Sequence, residues 1–164
     1  MAKKTTPATE FKPYPAPDFA LPSDEGKSLS LKDLAGKWVV LFLYPTDNTP
    51  TCTQEALDFT AAAPDFAALG ATVIGLSKDD LKSHARFRAK HSLTMPLLSD
   101  ESTTTIAAFG SWGEKSLYGR AYMGTDRSTF LIDPQGQVRA EWRKVRLKGH
   151  VQAVLDTLRL IQNT

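Results

Sequence analysis

Cysteine occurs once in the 164 residues, at position 52, within the segment Tyr44-Pro45-Thr46-Asp47-Asn48-Thr49-Pro50-Thr51-Cys52-Thr53-Gln54-Glu55. Thr49 suits a helix N-cap and Pro50 the first helical position, which puts Cys52 in the first turn. Unpartnered N–H groups and the positive end of the helix dipole meet there, and both favour an anion. The thiolate is the reactive form of cysteine, so the spacing points to nucleophilic or redox chemistry. A lone cysteine in general is a small buried hydrophobe. A packing residue has no use for a strand stop, a cap and a helix start in this order.

The other reactive side chains are weaker candidates. His84 and His91 fall two turns apart on one expected helix, about 10 Å by the rise per residue, too far for one ion. His150 precedes the last helix and reads as a capping or packing group. Neither metal nor cofactor is expected. With one thiol, zinc sites built on several thiolates, an intrachain disulfide and a Cys-x-x-Cys exchange motif are all excluded. That usage suits a reducing compartment, and no apolar leader follows Met1-Ala2-Lys3-Lys4, so a cytoplasmic location is expected. A net charge of +2 gives no reason to expect a nucleic-acid or membrane partner. Arg139, Arg143, Lys144, Arg146 and Lys148 read as a solvated strand edge.

The elements that must position Cys52 follow from the apolar pattern. Trp38 to Tyr44 is a continuous apolar run, a buried central strand that Pro45 stops because it cannot donate to a ladder. Ala56, Phe59, Ala63, Phe66 and Leu69 recur at helical spacing after Cys52, with a kink or break expected near Ala62-Ala63 because of Pro64. Ala71 to Ser77 is a second buried strand. Asp79 or Asp80 caps a helix to about His91, Met95 to Ser99 is a short strand, and Thr103 to Phe109 a short helix. Residues 110–126, with four glycines, read as a long loop whose Trp112 and Tyr118 are candidates for a pocket rim. Thr129 to Asp133 turns at Pro134-Gln135-Gly136 into a strand carrying Val138, Ala140 and Trp142. The apolar phase then slips to Val145 and Leu147, as at a bulge or strand end. Val151, Val154, Leu155, Leu158 and Ile161 mark an amphipathic last helix.

A small hairpin over Phe19 to Leu31 precedes the central strand, and residues 1–17 form an extended arm. With 41% hydrophobic residues, the chain is expected to fold as one domain over 18–164, α/β in class, with helices flanking a mixed sheet.

With strand, helix start and cysteine in this order, the chain resembles a peroxiredoxin of the bacterioferritin comigratory protein (PrxQ) subfamily, from about Ala16 to the last helix. The block from Tyr44 to Glu55 carries the resemblance most specifically. Ser83-His84, Leu97-Leu98-Ser99-Asp100, Trp112-Gly113-Glu114-Lys115 and Tyr122 to Phe130 are similar to the subfamily as well. The resemblance implies a thioredoxin-like fold and a thiol-dependent peroxidase, an antioxidant oxidoreductase without a cofactor. It implies that Cys52 attacks a hydroperoxide and becomes a sulfenic acid. Thr49 would bring its hydroxyl to the peroxide or thiolate, and Arg127 would hold the charge. Pro45 would wall the pocket, and Glu55 would fix Arg127's aim. Asp126 is a candidate to balance Arg127's charge.

Many members carry a resolving cysteine five residues after the nucleophile, where Leu57 stands here; an alternative position corresponds to Arg88. The implied cycle therefore uses one cysteine and an external thiol reductant: thioredoxin, glutaredoxin or a low-molecular-weight thiol. A monomer or weak homodimer is expected. The alternative function is a peroxide-sensing relay passing oxidation from Cys52 to a partner protein. A cysteine hydrolase ranks lower, because no histidine lies in the motif.

Overall fold

A computed structural model of the protein describes residues 11–163. Its centre is a six-stranded sheet in the order β1-β10-β9-β4-β5-β6. The strands are β1 (Tyr14–Pro15), β4 (Trp38–Leu43), β5 (Ala71–Ser77), β6 (Leu97–Ser99), β9 (Ser128–Ile132) and β10 (Gln137–Arg143). β4 pairs with β5, and β5 with β6, in parallel; β9 runs antiparallel to both β4 and β10. The helices are α1 (Pro50–Ala68), α2 (Leu81–His91), α3 (Thr104–Ala108) and α4 (His150–Gln162).

The continuous apolar run of β4 is explained by burial on both faces. Val40 and Phe42 join Phe59 and Phe66 of α1, Phe87 of α2, and Val154 and Leu158 of α4 in one cluster. Val39, Leu41 and Leu43 face the other way, onto Ile106 and Phe109 around α3 and onto Phe19 and Leu34. The two-residue alternation of a strand thus divides the core into two layers. Gly75 of β5 has a packing reason: a Cβ there would lie 2.9 Å from Phe42 Cζ and 3.0 Å from Leu97 Cδ2. Its bareness lets the Phe42 ring stack on Phe59, centroids 4.6 Å apart, beneath the helix that carries Cys52.

Several expectations are corrected. Residues 110–126 are no loop: β7 (Trp112–Leu117) and β8 (Arg120–Thr125) pair as an antiparallel hairpin. Tyr118 and Gly119 both have positive φ at its tip, as a type I′ turn requires. Of the kink or break expected near Ala62-Ala63, no break forms, and α1 runs through Pro64. Ala61-Ala62-Ala63 are strong helix formers, and Phe59 and Phe66 anchor both sides of the proline in the core. The slip after Trp142 is a strand end, one of the two expected outcomes: β10 stops at Arg143 and Lys144 adopts a left-handed φ of 50°. A separate register shift lies earlier, between Val138 and Ala140.

The small hairpin is β2 (Ala20–Pro22) with β3 (Ser28–Ser30). Of the expected N-terminal arm, residues 1–10 lie outside those described, while Tyr14 and Pro15 pair with β10 and Ala16 is buried. Trp142 is buried and Trp38 partly so.

Candidate active site

β4 delivers the chain to the site and β9 delivers the cation. Leu43 at the end of β4 lies opposite Ser128 at the start of β9, so Arg127 leaves the sheet at the end where Pro45 begins. Between Pro45 and α1 the chain makes a tight loop with Asn48 at φ 63°, a left-handed conformation that Asn tolerates better than most residues. Thr49 is the N-cap residue, in extended conformation, but its side chain caps nothing. Its hydroxyl instead donates back to the Thr46 carbonyl over a long 3.4 Å. The first helical hydrogen bond runs from Thr53 N–H to the Thr49 carbonyl. The N–H groups of Thr51 and Cys52 precede it, so both are free of the helical ladder beside the sulfur.

Cys52 is buried, 1% exposed. Arg127 Nη2 donates to its Sγ at 3.3 Å, and Nη1 donates to Glu55 Oε1 at 2.6 Å. The planar fork thus spans two acceptors one helical turn apart on α1, a fit that lysine's single ammonium does not give. The guanidinium and the helix start both bring positive charge up to the sulfur. Burial opposes the charge of Arg127, but Glu55 and Cys52 more than offset it, so its pKa is raised and it stays a cation. Glu55 is fully buried, and burial pushes its carboxyl up to about 7 against the pull of Arg127. Its second oxygen, Oε2, has no hydrogen-bond partner among the described residues, which is part of why ionising this carboxyl is costly.

A cavity of about 500 Å³ opens in front of this group, lined by Pro45 and Arg127 and by Lys115, Tyr122, Lys144 and Val145 among others. The structure therefore brings Pro45, Cys52, Glu55 and Arg127 to one place, with Thr49 at the start of the same helix. Asp126 lines the same cavity as Arg127 and pairs with Lys115, 3.6 Å from its Nζ. Neither Trp112 nor Tyr118 lines the cavity; Tyr118 is 96% exposed at the hairpin tip, and Tyr122 takes the place at the rim. Arg88 faces away from the sulfur chemistry, pairing with Asp24 at 2.5 Å and donating to the Leu93 carbonyl at 2.7 Å. His150 is buried with Nε2 2.8 Å from Thr129 Oγ1.

These elements match a known family. The family model described as AhpC/TSA covers residues 14–141. The chain belongs to the AhpC/TSA family. It is 46% identical over 144 residues to peroxiredoxin Bcp of Bacillus subtilis, covering 88% of this chain and 92% of that one. It superposes with a TM-score of 0.83 and 43% identity on the Xanthomonas campestris bacterioferritin comigratory protein studied for its alkyl peroxide reduction activity, covering 87% of this chain and 90% of that one. A yeast mitochondrial 1-Cys peroxiredoxin, solved for its thiol resolving mechanism via glutathione and thioredoxin systems, superposes at 0.73 with 26% identity, covering 92% of this chain and 76% of that one. The fold is thioredoxin-like, and the chain is a peroxiredoxin of the Bcp/PrxQ type, a thiol-dependent peroxidase lacking the resolving cysteine. No helix among the described residues is long and apolar enough to cross a membrane.

Sequence reasoning missed one cluster of this peroxiredoxin. Asp47, within the Pro45–Thr49 loop, and His84 of α2 are both buried, with their side chains 2.8 Å apart. Asp47 lies in the most specific block and His84 in another block shared with the subfamily, but nothing in their spacing joins them.

Proposed function

We propose that this peroxiredoxin reduces hydrogen peroxide and small organic hydroperoxides through a Cys52 sulfenic acid, and that an external thiol completes a one-cysteine cycle. In the first step a sulfur lone pair of the Cys52 thiolate attacks the near peroxide oxygen. The O–O bond breaks, the departing oxygen takes a proton, and water or an alcohol leaves. Arg127 is the residue that holds the thiolate and the charge shifting between the oxygens, and Glu55 sets its aim. Thr49 and the Cys52 N–H supply hydrogen bonds to the peroxide, and Pro45 shields the site from water. In the second step an external thiol attacks the sulfenic sulfur, releasing water and leaving a mixed disulfide; a second thiol then frees Cys52 and departs as the oxidised disulfide.

The observation that carries this reading is the Arg127 fork, with one arm on Cys52 Sγ at 3.3 Å and the other on Glu55. The external reductant rests on the absence of a second cysteine from the chain. The alkyl peroxide reduction activity of the Xanthomonas relative supports organic hydroperoxides as substrates. The test is peroxide consumption with a panel of thiol reductants, following the mass of Cys52 at each step. Cys52→Ser should abolish turnover, and Arg127→Ala should lower kcat/KM by roughly 100- to 1000-fold, the usual loss for a removed charge-stabilising donor. Full activity in Cys52→Ser would end the assignment. A single stoichiometric burst with every reductant would favour the relay.

A further inference from the structure

A second buried polar cluster joins the loop that carries Pro45 and Thr49 to α2. Its centre is the Asp47 carboxylate, whose side chain is 2% exposed. Tyr44 donates to its Oδ1 at 2.7 Å, and Ser83 donates to its Oδ2 at 2.7 Å. His84 Nδ1 meets the same Oδ2 at 2.8 Å, while His84 Nε2 meets the Leu98 carbonyl at 2.9 Å. Both ring nitrogens therefore face oxygens that only accept, so with Asp47 ionised the ring carries both protons and is an imidazolium. Burial alone would lower the pKa of His84, but Asp47 outweighs it and the net shift is upward. The first turn of α2 adds its positive dipole end beneath the carboxylate.

Asp79 fastens the other side of the same loop. It accepts from Asp47 N–H at 2.8 Å and from the Thr46 hydroxyl at 3.1 Å. Lys78 holds the Pro45 carbonyl at 3.2 Å. Every residue from Pro45 to Asp47 is thus tied to the end of β5 or the start of α2, while Asn48 turns left-handed directly after. A buried ion pair contributes little net stability against an apolar replacement, but it fixes a geometry closely. The geometry fixed here is that of the loop leading through Thr49 into the first turn of α1, where Cys52 is only 1% exposed.

We propose that Asp47, with His84 as its counter-ion, is a positioning residue of the peroxide step, and that release of this pair is what admits an external thiol to oxidised Cys52. The inference rests on the peroxidase reading given above. It follows from two opposed demands on one loop. Peroxide is small and needs Pro45, Thr49 and Cys52 held in register. A thiol is bulkier and needs the loop out of its way.

The test separates the two half-reactions in single-turnover experiments on the full chain. Asp47→Asn and His84→Gln should slow Cys52 oxidation by hydrogen peroxide by about 10- to 100-fold, the scale of loss when reacting groups shift by about an ångström. The same variants should speed the attack of 2-mercaptoethanol on preformed sulfenic acid. Ser83→Ala and Tyr44→Phe, which each remove one bond and leave the ion pair, should show the same opposed pattern at about 3- to 10-fold. If the charge variants do not fold, these two decide the matter. Oxidation at the wild-type rate in a folded variant, or both half-reactions slowing together, would overturn the proposal. Failure of the wild-type chain to be oxidised at Cys52 would defeat the peroxidase reading instead; normal wild-type kinetics with unmoved variants defeats the Asp47–His84 role alone.

Discussion

Glu55 holds one arm of Arg127, and its chemistry predicts a pH dependence. Ionised, it anchors one arm of the guanidinium and leaves the other for Cys52; protonated, it holds that arm less strongly. Burial pushes its carboxyl up to about 7 in the folded chain, from an ordinary value of 4.5. The peroxide step should therefore lose speed as pH falls through about 7, and Glu55→Gln should lack that limb. The thiolate's ultraviolet absorbance, followed in parallel, separates titration of Glu55 from that of the sulfur. A limb that persists in Glu55→Gln would assign it elsewhere. The same group is linked to stability. Its folded pKa is raised, so its contribution is complete below about pH 4.5 and is lost as pH rises toward and through about 7. Between about pH 5 and pH 8 the unfolding free energy of Glu55→Gln should gain on the wild type by up to about 3 kcal/mol. Denaturant unfolding at the two pH values measures the gain, and a wild type that gained instead would reverse the assignment.

At the scale of elements, the packing beneath α1 is as exacting as the site above it. Gly75→Ala forces a Cβ against Phe42 and Leu97, both fully buried, and should cost about 1–3 kcal/mol by overpacking. Denaturant midpoints test this; a neutral effect would mean that the Phe42–Phe59 stack can shift. Pro64→Ala should act in the opposite sense, adding up to about 3 kcal/mol, because alanine restores a helical N–H and removes a clash. These elements also show what was readable in the sequence. β4, α1, β5 and α4 announce themselves because their apolar residues repeat at the period of the structure that buries them. The β7–β8 hairpin does not, because most of its residues, Leu117, Tyr122 and Met123 included, stay exposed and leave no alternation to read. The same contrast holds at the site. Cys52 and Glu55 lie on one helical turn, so their proximity follows from spacing alone. Asp47 and His84 stand 37 residues apart, and only the packing of α2 against the end of β4 joins them.

For the whole molecule, the number of thiols determines how the oxidised state is cleared, and a second thiol tests how far the fold yields. Leu57 stands five residues after Cys52 on α1, about 140° around the helix and roughly 8–9 Å away by helix geometry. The burial agrees: Leu57 is 37% exposed and Cys52 1%. A disulfide requires Cα atoms within about 7 Å and facing side chains, so none can join these positions while α1 keeps its first turns. Leu57→Cys therefore reports on unwinding. Peroxide should convert it to an intrachain disulfide, seen as the loss of two hydrogens from the intact mass at a rate independent of protein concentration. The wild type under the same treatment should give the sulfenic acid and, with excess peroxide, the sulfinic acid. If the opening that makes the bridge is also the one proposed to admit an external thiol, Leu57→Cys and Asp47→Asn together should bridge faster than Leu57→Cys alone. Should the dithiol variant accumulate sulfinic acid as the wild type does, α1 stays wound after oxidation. The thiol must then enter past Pro45 and Arg127 through the cavity, with the Cys52 helix intact.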